Sequence, residues 1–129
     1  MRRDMDLIRE LLLRLEALPL GGGDAVTISW DADEIAVPGH DVDQIAYHLS
    51  QIEQAGFIND AGAKPLIGIG FMCLTPRGHD FLDAVREPKV WVETKTRADK
   101  VGGWTVGILT DLAKGYLKAK AAEHGFPMG

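Results

Sequence analysis

Two stretches of this chain occur in an order that leaves few folds open. "DQIAYHLSQIEQAGFI", Asp43 to Ile58, has helical apolar spacing and closes on Ala-Gly and two apolar residues. "MCLTPRGHDFLDAVR", Met72 to Arg86, begins apolar and enters a second helix at Thr-Pro. With Ile45 at the centre of the buried side, a 100° step per residue sets Val42, Leu49 and Ile52 beside it. Asp43, Tyr47, Ser50, Gln51 and Gln54 then fall opposite, with Gln44 and His48 at the flank. Asp41 is placed to cap this helix. Gly56 supplies the left-handed residue that ends it, and Phe57 and Ile58 fold back as its apolar contact. Thr75 caps the next helix with Pro76 at its first position, and Phe81, Leu82 and Val85 are its expected buried residues. Between them "NDAGAK" reads as a turn. "PLIGIGFMCL" reads as a strand whose two glycines permit a bend. Gly56 and Thr75 thus bracket an expected two-stranded flap.

The flanks add helices and one strand. Asp4 to Leu18 carries Ile8, Leu11, Leu12, Leu15 and Leu18 on one helical face, widened by Leu7 and Leu13. Asp4 and Asp6 sit at the positive end of its dipole, and Pro19 stops it. "VTISW", Val26 to Trp30, predicts a short strand. In 31–40, Pro38 and Gly39 allow at most one helical turn, so a complete second helix is in question. After Pro88, "VWVETK" fits helix or strand. Beyond a Gly102-Gly103 hinge, about Thr105 to Ala122 predicts a last helix with Ile108, Leu109, Leu112, Tyr116 and Leu117 on one face.

This pattern predicts an α+β, mainly helical fold, winged helix-turn-helix-like with an extra C-terminal helix. The domain is expected over residues 1–100, and the helix over 101–129 is a candidate for homodimerisation. At 129 residues the chain is long enough for one real core. The charged start "MRRDMDLIRE" is unlike a signal peptide, and the longest apolar run, Leu66 to Leu74, is far below the roughly 20 residues of a membrane span. A single cysteine, Cys73, fits a reducing cytoplasm and is expected as a buried, inert thiol.

Catalytic and metal chemistry find little support. His40, His48, His79 and His124 lack metal-site spacing with one another or with Cys73. "GIGF" at 68–71 lacks the third glycine and the Lys-Ser/Thr of a phosphate cradle. His40–Asp41 and His79–Asp80 are sequence neighbours, which a helix points apart. No acid, base and nucleophile set emerges, so neither an enzyme nor a cofactor is expected.

Charge decides between binding roles. Residues 1–60 hold 4 Lys+Arg against 12 Asp+Glu, 4 − 12 = −8, and residues 61–129 hold 10 against 7, 10 − 7 = +3. A domain that binds nucleic acid usually shows a basic face, yet 43–58 contains no Lys or Arg. The stripe of Gln44, Tyr47, His48, Gln51 and Gln54 nonetheless suits recognition, because glutamine pairs bidentately with adenine and exposed tyrosine favours interfaces. Lys64 near the flap tip and Arg77 at the next helix start are candidate phosphate contacts, with Arg2 and Arg3 as a possible arm.

The motifs, taken in order, resemble a family of uncharacterised phage- and prophage-associated proteins known as a domain of unknown function. The likeness runs through "RRDMDLIRELLLRLE", "IAYHLSQIEQAGFI", "LTPRGHDFLDAVR" and "VWVETK" to a Gly-Gly hinge and closing helix. It implies a winged-helix-like fold and a phage setting, without an activity. Two functions are therefore expected in competition. One is a transcriptional regulator binding double-stranded DNA. The other is a non-enzymatic factor of phage origin, for example an inhibitor of host defence, that binds a host or phage protein.

Overall fold

Residues 1–125 are described by a computed structural model. The chain falls into two compact units, divided between His79 and Asp80.

The first unit begins with α1, Met5–Glu16. Asp4 caps it by accepting the Leu7 amide at 3.2 Å, and its wide stripe buries Met5, Leu7, Ile8, Leu11, Leu12 and Leu15. Burying one such side chain is worth roughly 1.5–3 kcal/mol, so α1 is the unit's main apolar wall. Strand β1, Val26–Ser29, follows. The region before Pro38 forms a 3-10 turn, Asp33–Ile35, which anchors Ile35 at 0% exposure. Pro38 and the left-handed Gly39 (φ 86°) stop it there.

Helix α2, Val42–Gln54, starts with a full capping box: the Gln44 amide donates to Asp41 and the Asp41 amide to Gln44 Oε1. It buries Ile45, His48, Leu49 and Ile52. Val42, expected on that side, is 45% exposed, because it is the first helical residue and overhangs the core. Gly56 has φ 76°, and Phe57 and Ile58 turn inward as expected.

The flap has a different layout from a plain hairpin. Strand β2, Ile58–Asn59, pairs with β4, Cys73–Leu74, whereas β3, Gly68–Phe71, pairs antiparallel with β1. Met72 interrupts β3 and β4, its amide donating to the Asn59 carbonyl at 2.8 Å. That interruption resets the side-chain alternation, so Leu74 points inward and Cys73 outward. Cys73 is an exposed free thiol, not the buried one expected. Residues 65–67, read as strand, are loop.

Helix α3, Pro76–Val85, begins where Thr75 Oγ1 accepts the Gly78 amide and donates to the Gly56 carbonyl. Gly78 is required there: a Cβ on it would lie 2.2 Å from the Phe57 carbonyl oxygen. Phe81, Leu82 and Val85 are buried.

In the second unit, Pro88 opens α4, Pro88–Val101, at a position where its missing N–H costs nothing, and "VWVETK" is helical. Gly102 (φ 76°) ends α4, and Thr105 caps α5, Val106–Glu123, which packs against it. Leu109 and Ala113 are buried, whereas Leu117 is 38% exposed. No helix among the described residues is long and apolar enough to cross a membrane.

Candidate interaction surface on the first unit

The candidate surface is the outer stripe of α2 with the loop between β2 and β3. Gln44, Tyr47, Gln51 and Gln54 repeat at helical spacing; the first three are half-buried and Gln54 is exposed. Gln44 is committed to its capping box, so its amide serves the helix before any partner. Tyr47, Gln51 and Gln54 remain as the accessible part.

His48 does not belong to that surface. It is 2% exposed, one helical step from Ile45 and Ile52, and the flank read from the sequence is the buried one. Its Nε2 accepts the Asp4 amide at 2.8 Å, which leaves the ring proton on Nδ1, 2.7 Å from the Gln44 carbonyl. The ring therefore joins the start of α1 to α2. An apolar helix flank carrying one imidazole, with a helix start nearby in the fold, was the signal available for this role.

Lys64 reaches neither solvent ions nor phosphate unopposed. Its ammonium lies 3.2 Å from Glu53 Oε1 and is bonded to Asp60 Oδ2. The Lys64 hydrogen bond holds the Asp60 carboxyl below its ordinary value of 3.8, and Asp60 in turn pushes Lys64 above 10.5. Asp60 is fixed further by accepting the Gly62 amide at 2.8 Å, in a tight turn where Ala61 takes φ 56°. Beyond this cluster Leu66 is 96% and Ile67 71% exposed. Arg77 is exposed at the start of α3, and Arg2 and Arg3 are exposed ahead of α1.

The electrostatic background is acidic. From Leu15 to Ala63 there is no Lys or Arg, against nine carboxylates: Glu16, Asp24, Asp31, Asp33, Glu34, Asp41, Asp43, Glu53 and Asp60. Among the described residues no group of three or more His, Cys, Asp or Glu is gathered as a metal site. His79 Nδ1 lies 3.9 Å from Glu16 Oε2, a distance too long for a hydrogen bond.

The chain is similar to an uncharacterized protein of Haemophilus influenzae, 31% identical over 98 residues that cover 74% of this chain and 77% of the relative. No solved structure matches it. Residues 2–104 match the family model described as "Hypothetical protein (DUF2513)", a span that includes both units' helices up to α4 and stops ahead of α5. With most of its length inside that match, the chain is a member of the DUF2513 family.

Proposed function

We propose that this protein is a non-enzymatic protein-interaction factor built on a winged-helix frame. The frame is supported by element order: helix, strand, a remnant second helix at Asp33–Ile35, the presented helix α2, then β3 returning to pair with β1 beside the β2–β4 pair. The observation that carries the interaction reading is in the wing loop. Where a DNA-binding wing needs free cations, Lys64 is held between Glu53 and Asp60 while Leu66 and Ile67 stand exposed. Apolar side chains held out on a charged surface suit a protein partner. Nine carboxylates without an intervening cation would repel a phosphate backbone and steer a basic partner. The phage setting implied by the sequence resemblance, and pairing of two copies through α5, are carried as parts of this proposal.

A DNA-binding regulator is the second reading, favoured by Tyr47, Gln51 and Gln54 on one accessible stripe and by exposed Arg77, Arg2 and Arg3. Specific binders make roughly 6–10 phosphate contacts, and these three arginines fall well short.

Capture from lysate of the source cells, with and without nuclease treatment and with wild type and Leu66→Asp side by side, tests the first reading. A protein retained by wild type and lost by the variant is expected. Retention that disappears with nuclease treatment in both would contradict it.

A further inference from the structure

Strand β1 has one edge bonded to β3 and one edge open. Trp30 donates its amide to Ile67 at 3.1 Å, and the register continues Ser29↔Gly68, Ile28↔Ile69 and Thr27↔Gly70. In an antiparallel ladder the bonded pairs alternate, so Ile28 and Val26 face β3 and the backbone groups of Thr27 and Ser29 point away from it. The outward Ser29 carbonyl accepts the Ala32 amide at 3.0 Å. For the Thr27 amide and carbonyl and the Ser29 amide, no protein partner occurs among the described residues.

A groove of about 290 Å³ runs along this edge. All four consecutive residues of β1 line it, which alternating side chains on one face cannot do; the groove lies against the strand edge itself. Leu18, Pro19, Leu20 and Glu34 share its lining. Val26 is 36% exposed and Thr27 is exposed. Open edges of this kind are usually blunted by lysine, proline or a bulge. Here the strand carries none of them, and Asp24, Asp31 and Asp33 flank it in sequence with no Lys or Arg nearby.

We propose that β1 is a strand-addition site for an extended segment of a partner protein that alternates Lys or Arg with apolar residues. Main-chain bonds to Thr27 and Ser29 would fix its register. The apolar side chains would enter between Leu18–Leu20 and Val26, and the cations would meet Glu34 and the flanking carboxylates. Charge selects this occupant over a second copy of the same chain, whose edge would bring the same acids against these. The site is separate from the α2 stripe and stands whatever that stripe meets.

The probes are three fluorescein-labelled octapeptides: alternating Lys and Val, alternating Glu and Val, and the Lys/Val sequence N-methylated at alternate backbone nitrogens. Anisotropy is expected to show the Lys/Val peptide binding about tenfold or more tighter than either control. Thr27→Pro, which removes an outward amide and no ladder bond, should weaken it about tenfold. Should that variant not fold, wild type decides: amide exchange at Thr27 and Ser29 slows when the Lys/Val peptide is added. Equal binding of the N-methylated peptide, or unchanged exchange at both amides, overturns the proposal. So does protection of these amides in a concentration-dependent dimer without peptide.

Discussion

The Asp4 amide donates to His48 Nε2 at 2.8 Å across 44 residues of chain, tying the first turn of α1 to the middle of α2. A helix start leaves four amides without intrahelical partners. Asp4 satisfies the Leu7 amide with its side chain, and His48 satisfies the Asp4 amide itself. His48→Phe keeps the ring's bulk and strands the donor. It should lower the urea-unfolding free energy by about 1–3 kcal/mol without changing helical content. A loss under about 0.5 kcal/mol, ordinary for a surface change, would show that the tie is not structural.

Two glycines distinguish sterics from backbone conformation. Gly78→Ala places a methyl 2.2 Å from the Phe57 carbonyl oxygen, and overpacking of that kind costs about 1–3 kcal/mol. Gly56→Ala meets nothing within 4 Å but must hold φ 76°, at roughly 1–2 kcal/mol. Thermal unfolding should rank Gly78→Ala as the more damaging. The reverse order would mean that Phe57 and Gly78 are held less closely than 2.2 Å implies.

The Lys64–Asp60 pair predicts a pH dependence confined to the extremes. Asp60 is depressed below 3.8, so its contribution is present above that value and is lost as pH falls through the folded value. Lys64 is raised above 10.5, so its contribution is present below that value and is lost as pH rises through the folded one. Lys64→Ala should therefore behave alike from about pH 5 to 9. A carboxyl-carbon NMR titration should place the Asp60 midpoint below 3.8 in wild type and higher in Lys64→Ala. An unmoved midpoint would show that the ammonium does not hold the carboxylate.

Leu66→Asp should leave stability within about 0.5 kcal/mol of wild type, because a side chain 96% exposed loses no burial on substitution. Equilibrium unfolding in urea measures this. A large loss would place Leu66 inside the protein's own packing and remove the β2–β3 loop as a contact surface.

Much of the frame could be read in advance because its signals are local. Asp41 with Gln44, Gly56, Thr75 with Pro76, and Pro88 each mark a boundary by their own chemistry, and each boundary lies where those residues place it. What escaped reading depends on non-local pairing. That β3 joins β1 while β4 joins β2 is set by Met72 bonding to Asn59, which no periodicity encodes. The same break turned Cys73 outward. His48 and Lys64 have roles decided by Asp4, Glu53 and Asp60, partners 44, 11 and 4 residues away. A helical wheel shows a residue's direction and is silent about what waits there.

Under the proposed function, the α2 stripe and the β2–β3 loop meet protein and not nucleic acid. Fluorescence anisotropy of a random-sequence duplex, titrated with the protein at about 50 mM and 200 mM salt, tests it most directly. No binding tighter than about 10⁻⁴ M is expected at the lower salt. Micromolar affinity at 50 mM that drops steeply at 200 mM and is lost in Arg77→Ala would contradict it.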